Sequence, residues 1–249
     1  MPDAIPAATL IVFRETSFGP PEILMVERAR AMAFAAGALV FPGGRIDPGD
    51  VALAAAIAPE RHDAAARIAA IRETIEEAGI AIGLVPPPSP QAIATMRAAL
   101  HAGQAFGDLL DAIGATLDLY ALVVFARWLP AHAHARIFDT HFYLARLPAD
   151  APPATVDTTE NVHLRWATAS QVLTDADAGA ATIIFPTRRN LERLAGFANF
   201  AAALADAGEH PVRTITPFVE AREGIDHLCI PDDLGYPITS EPFSAAVRG

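Results

Sequence analysis

The chain contains no lysine; all 18 of its basic residues are arginines. That absence excludes Schiff-base chemistry and any phosphate loop that depends on a lysine. Cysteine is nearly absent too: Cys229 stands alone, so no internal disulfide forms and a reducing compartment is expected. A lone cysteine of this kind reads as a small, inert apolar residue. No apolar run is long enough to span a bilayer, and the longest, near residues 31–41, ends in Pro42-Gly43-Gly44. The opening Met1-Pro2-Asp3 lacks the basic, apolar character of a leader, which makes the cytoplasm the expected compartment, with no membrane partner. Positive charge is in short supply, 18 basic residues against 29 acidic for a net −11, which argues against a nucleic-acid backbone as partner. His132, His134 and His141 lack cysteine or carboxylate companions at useful spacing, so zinc is not expected.

What is present points to one α/β domain over all 249 residues. The hydrophobic share of 52% owes much to alanine, as Ala-rich helices would give. Residues 7–14 and 21–28 read as neighbouring strands, and 119–128, 138–146 and 163–167 as further strands, the last ending at a helix cap, Thr168. Helices are expected over 63–78, stopped by Gly79, from Ser89 or Pro90 to 100, and as one long amphipathic helix over 186–207. The proline-punctuated tail from about 208 either wraps the body or reaches a second copy in a homodimer.

The most informative stretch is Arg72-Glu73-Thr74-Ile75-Glu76-Glu77-Ala78-Gly79-Ile80. Glu73, Glu76 and Glu77 stand at i, i+3 and i+4, one face of a single helical turn. At about 100° per residue, Ile68, Ile71, Ile75 and Ala78 form the opposite, apolar stripe. Crowded carboxylates raise one another's pKa unless a cation sits among them. Oxygen donors of this kind suit Mg²⁺ or Mn²⁺. The plainer reading of Arg72 and Glu76 is an i,i+4 surface pair.

Upstream, Phe41-Pro42-Gly43-Gly44-Arg45-Ile46-Asp47-Pro48-Gly49-Asp50 is a turn-rich loop after a strand-like run. Loop and helix together resemble the box of the Nudix hydrolases, G-x5-E-x7-R-E-U-x-E-E-x-G-U, in which U is aliphatic. Gly44 matches the first glycine, and Arg72 to Ile80 match the second half, with Thr74 at the first U. Asp50 stands where the family has Glu. Between Asp50 and Arg72 lie 21 residues, 51–71, where the pattern has seven. The extra residues, about 51–64, read as an Ala-rich insertion adding a helical turn or two. This split box resembles the branch that contains the peroxisomal coenzyme A diphosphatase. Leu24, Arg28, Ala29, Gly37 and Phe41 to Gly44 also match the upstream signature of coenzyme A-hydrolysing members, while Val26 and Ala33 depart from it.

The resemblance implies an α/β/α sandwich with a mixed sheet and additional helices. It implies that Glu76 and Glu77 ligate the metal, with the Gly44 carbonyl completing the shell. Glu73 would ligate it or orient the attacking water, and Arg72 would hold a carboxylate in place. Glu160 matches a position where many relatives carry a further metal-binding or basic glutamate, although an isolated loop glutamate is usually solvated. Substrate contacts fall to Arg28, Arg30, Gly37, Phe41, Gly43 and Arg45. Phe34 or Trp166 could stack on an adenine; core packing suits Trp166 better. The implied reaction cleaves the diphosphate of a nucleoside diphosphate derivative, foremost coenzyme A or an acyl-CoA. Two alternatives stay open: a nucleotide-sugar or dinucleotide pyrophosphatase, and a non-catalytic nucleotide-sensing module.

Overall fold

The computed structural model describes residues 4–29, 35–130, 137–157 and 160–246. Its elements begin with β1 (Ile5–Arg14), β2 (Glu22–Arg28), β3 (Leu39–Val40), β4 (Gly43–Arg45), α1 (Pro48–Ile57) and α2 (Ala64–Ala78). β5 (Leu84–Val85), α3 (Pro90–His101), α4 (Phe106–Ile113), β6 (Thr116–Leu117), β7 (Val123–Trp128) and β8 (Phe138–Arg146) follow. Then come β9 (Asn161–Thr168), α5 (Ala169–Asp177), α6 (Phe185–Leu194) and α7 (Phe200–Glu209). The tail holds β10 (Thr214–Ile215), β11 (Phe218–Arg222), β12 (Ile225–Cys229), β13 (Ser240–Pro242) and α8 (Phe243–Ala246).

The alternation of β1 explains the layering. Ala8, Leu10 and Val12 enter one core, Ile11 and Phe13 the other, so this strand is buried on both faces. β8 divides the same way: Tyr143 and Ala145 go to the first core, Phe142 and Leu144 to the second. Helix α2, with residues from α3 and α4, packs on the first face; α5, α6 and α7 supply the second. The sheet runs β10-β7-β8-β1-β2-β3, with β4 on β1 and β9 on β2. It is mixed, because β8 lies parallel to β1 and β10 parallel to β7 while the other pairs are antiparallel. The expected α/β/α sandwich is the observed fold.

One geometric detail positions the site. β1 is paired with β2 at Phe13 and Arg14 but with β4 at Ala7, Ala8 and Thr9. Two strands therefore leave the same edge of β1, and the short β4 is brought beside α2.

Local expectations meet two corrections. The long helix expected over 186–207 is two helices, α6 and α7, separated around Gly196, because glycine followed by the Asn199 cap restarts the helix instead of continuing it. The strand expected over 119–128 begins with a single 3₁₀ turn, Leu119–Ala121, nucleated by the Asp118 side chain accepting the Tyr120 N–H. Thr168 does cap α5, accepting the Gln171 N–H at 3.2 Å. Trp166 packs partly buried against the first core under the Arg14 guanidinium, as core packing implied. Cys229 is buried and free. Arg30, Ala33, Phe34, His132 and His134 lie outside the described residues. Among the described residues, no helix is long and apolar enough to cross a membrane.

Candidate active site

Helix α2 starts after Asp63 and stops at Gly79, whose φ of 66° takes the left-handed turn that glycine accepts readily. Ile68, Ile71, Ile75 and Ala78 are fully buried, so the apolar stripe read from the sequence fixes the rotation of the helix. Thr74, polar where the motif has an aliphatic residue, is buried as well. Its hydroxyl donates to the Ala70 carbonyl at 2.7 Å, which removes the cost of burying it. Arg97 of α3 closes the other end, donating to the Glu76 and Glu77 carbonyls at 2.7 and 3.0 Å. A cation at a helix C-terminus opposes the negative end of the dipole. Sequence spacing gave no hint of Arg97.

Arg72 is the hub. Its Nε and Nη2 donate to the two oxygens of Asp50 at 3.0 and 2.9 Å, a bidentate pair. Nη1 donates to Glu73 at 2.9 Å and Glu76 at 2.7 Å, and Nη2 also reaches the Arg45 carbonyl at 3.0 Å. The surface-pair reading of Arg72 and Glu76 is thus too small: the pair exists within a buried network. Burial disfavours the charged guanidinium, yet Asp50, Glu73 and Glu76 together hold its pKa well above the ordinary value.

Asp50 also explains how the inserted residues are absorbed. It sits in the first turn of α1, where its carboxylate accepts the Asp47 N–H at 2.9 Å. The chain therefore fixes this aspartate first, runs outward through α1, and returns at Asp63 to start α2. Its shorter reach suffices because α1 packs directly on α2.

The two glycines before α1 serve close approach. A Cβ on Gly44 would collide with the Glu73 carboxylate, and one on Gly43 with the backbone of Ala8 and Thr9. Glu77 lies deeper, accepting the Gly43 N–H at 2.9 Å and the Asn161 side-chain amide at 3.0 Å. Burial pushes Glu73 up to about 8, with Glu77 and Glu76 adding to the rise and Arg72 opposing it. Burial likewise lifts Glu77 to about 7 against the Asn161 and Gly43 hydrogen bonds. Three carboxylates against one guanidinium leave surplus negative charge, and an oxygen-rich set of this kind fits a hard divalent cation. Among the described residues, no three acidic, histidine or cysteine side chains stand together as a ready cage. The reason is visible: Glu76 is turned onto Arg72, and Glu77 onto Gly43 and Asn161.

All of this opens onto one cleft of about 1010 Å³. Arg28, Phe41, Gly43, Gly44, Arg45, Arg72, Glu73, Glu76, Glu77 and Glu160 line it. Gly37 is not among the lining residues; it makes a turn at φ 71° and donates its N–H to the Arg28 carbonyl. Glu160 keeps 60% of its side chain exposed and stands 3.9 Å from Arg28. Its neighbour Asn161, which the sequence reading passed over, is the residue that touches Glu77. Asn161 is fully buried, and its Oδ1 has no hydrogen-bond partner among the described residues. Arg28 has a buried Nε in the same condition.

The NUDT19 Nudix domain family matches residues 53–194. A crystal structure of a NUDIX hydrolase from Alicyclobacillus acidocaldarius is 30% identical, with a TM-score of 0.72 over 82% of this chain and 97% of that one. A C. elegans Ap4A hydrolase binary complex is 19% identical over 81% of this chain and 98% of that one, with a TM-score of 0.44. The NUDIX domain of Shewanella oneidensis NrtR, complexed with ADP ribose, is 13% identical over 77% and 86%, with a TM-score of 0.43.

Proposed function

The chain belongs to the Nudix hydrolases, and from that premise we propose that its cleft cleaves the diphosphate linkage of a nucleoside diphosphate derivative, foremost coenzyme A or an acyl-CoA. The observation that carries this reading is the surplus of carboxylate around Arg72, aimed into a cleft that also holds the Arg28 guanidinium. Nudix hydrolases generally use divalent cations. Here Glu73, Glu76, Glu77 and the Gly44 carbonyl would hold Mg²⁺ or Mn²⁺, which when bound neutralises phosphate charge and stabilises the departing phosphate. Glu160, at the cleft's exposed rim, is a further donor in this reading.

Each remaining role belongs to the chain's own groups. Glu73, held by the Arg72 guanidinium at 2.9 Å, ligates the metal or orients the attacking water, which gives up its proton as it attacks. The water oxygen bonds to one phosphorus, the bridging P–O bond breaks, and its electron pair leaves with the second phosphate. Arg72 acts through its neighbours, locking Glu73 and Glu76. Arg28 and Arg45 contact phosphate oxygens; the buried Arg28 Nε–H, which has no partner among the described residues, is a donor for one. Leu24, Arg28, Ala29, Gly37 and Phe41 to Gly44 support coenzyme A as the head group. Residues 1–249 act as one catalytic unit in this reading, with β10 from the tail extending the sheet.

A panel of free coenzyme A, acetyl-CoA, ADP-ribose, NADH and diadenosine polyphosphates, with Mg²⁺ and with Mn²⁺, tests the proposal by chromatography of the products. Release of 3′,5′-ADP from the CoA compounds at the highest kcat/KM is the expected result. Cleavage of another nucleotide would keep the chemistry and overturn the head group; nucleotide binding without any cleavage would overturn the enzyme reading of this site.

A further inference from the structure

Helix α6 turns its first residues into the cleft: Ile184, Phe185, Pro186 and Thr187 all line it. The first helical hydrogen bond runs from the Arg188 N–H to the Ile184 carbonyl at 2.9 Å. The N–H groups of Phe185 and Thr187 precede that bond and have no partner among the described residues. Pro186 has no N–H to satisfy. No side chain caps this end, and its first turn holds no acidic residue. The chain closes comparable ends elsewhere, where Ser89, Thr168 and Asn199 cap α3, α5 and α7 with their own side chains.

Thr187 is a second, separate sign. Its residue is only 3% exposed, it lines the cleft, and its hydroxyl has no hydrogen-bond partner among the described residues. Buried hydroxyls are ordinarily paired. Thr74, Thr95 and Thr174 follow that rule, each donating to the carbonyl four residues earlier in its helix. Thr187 stands too near the start of α6 to do so. The surroundings are apolar: the Trp128 ring meets Phe185 edge to face at 6.0 Å, and both line the cleft. Donors in such a setting act more strongly on charge than they would in water.

We propose that the first turn of α6 is an anion site for a phosphomonoester carried by the substrate, separate from the diphosphate that is cut. Two N–H groups and one hydroxyl present three donors to three terminal phosphate oxygens, and the positive end of the helix favours the negative charge. A carboxylate would leave one of these donors idle. The turn and the carboxylates of α2 line one cleft, so a single molecule reaches both. The inference rests on the diphosphate reading of the carboxylate end and adds a selection: nucleotides with a further phosphate on the ribose over those without it.

The test is calorimetric binding of 3′,5′-ADP and of 5′-AMP in EDTA, to the wild type and to Thr187→Val, Thr187→Ser and Pro186→Glu. Thermal melts check that each variant is folded. Pro186→Glu sets an acid where the helix dipole welcomes one, so it opposes the anion without opposing the helix. The wild type binds 3′,5′-ADP at least about tenfold tighter than 5′-AMP, the scale of hydrogen bonds to a charged group. That ratio falls to about threefold or less in Thr187→Val and Pro186→Glu and survives in Thr187→Ser. Equal wild-type affinities, or an unchanged ratio in folded Thr187→Val and Pro186→Glu, would overturn the site. Turnover of coenzyme A and dephospho-coenzyme A with Mg²⁺ separates the two proposals. A binding preference without cleavage of either compound keeps the anion site and removes the reaction. Cleavage of both at the same kcat/KM, with no binding preference, removes the anion site and keeps the reaction.

Discussion

Two buried arginines, Arg72 and Arg189, sit among carboxylates on helices of opposite layers, and only one of them belongs to the site. Arg72 faces Asp47, Asp50, Glu73 and Glu76, four acids to one guanidinium, with every N–H engaged. On α6, Arg188 and Arg189 face Asp177, Glu192 and Glu241, three against two, and among the described residues the Arg189 Nε has no hydrogen-bond partner. The pKa directions separate them as well: Arg72 is raised by its carboxylates, whereas burial lowers Arg189. The cluster on α6, nearer to balance, holds the Glu241 strand of the tail against that helix. The one around Arg72 keeps the larger excess of acid over base. The ratio of charges, more than their burial, separates the two.

Three changes sharpen this contrast. The largest effect belongs to Glu77→Gln, which lowers turnover by about 10²–10³-fold, the scale of losing one group that stabilises reaction charge. The same variant loses the rise in melting temperature that added Mg²⁺ or Mn²⁺ gives the wild type; retained activity and an intact rise would remove Glu77 from the metal shell. Next, Asn161→Ala weakens divalent-cation affinity or activity by about 10–100-fold, because the amide orients Glu77 without reaching substrate. Titration calorimetry with Mn²⁺ reads this directly, and an unaltered affinity would make Asn161 a packing residue.

The smallest effect tests the α6 cluster. Burial lifts Glu192 to about 7, with Arg189 and Arg188 opposing. A carboxyl raised in the folded state keeps a proton that the unfolded chain has lost, so its contribution is full at low pH and fades as pH rises through about 7. Glu192→Gln therefore flattens the fall in melting temperature between pH 5 and 8 by on the order of a few degrees. An identical slope in both proteins would show that Arg189 already compensates Glu192.

The cluster around Arg72 was largely legible in the sequence, since helical spacing alone brings Glu73, Glu76 and Glu77 to one face and Gly79 ends the helix. Gly43 and Gly44 were legible as a tight loop, though the collision that forbids a side chain at Gly44 involves Glu73, 29 positions away. Asn161 was not legible: a single amide in a strand carries no pattern, and its meeting with Glu77 depends on β9 pairing with β2. Phe138 to Phe142 read as a strand that resembles a family segment, but only the parallel pairing of β8 with β1 shows that Phe142 lies beside the glycine loop. Arg97 caps α2 from α3, a contact made only after the two helices pack. The split of residues 186–207 into two helices was written locally, in Gly196 and Asn199, beneath a continuous amphipathic pattern.

The placement of Asp50 at the start of α1 has a practical consequence. Everything the network needs from the first half of the motif is anchored before the chain departs, and everything from the second half after it returns at Asp63. The turn between α1 and α2 is therefore a spare joint at the exposed Pro59 and Glu60, provided that Arg61 keeps its place over Tyr120 and Asp63 its pairing with Arg67. A peptide tag or small reporter grafted between Pro59 and Glu60 would ride on the enzyme as a passenger.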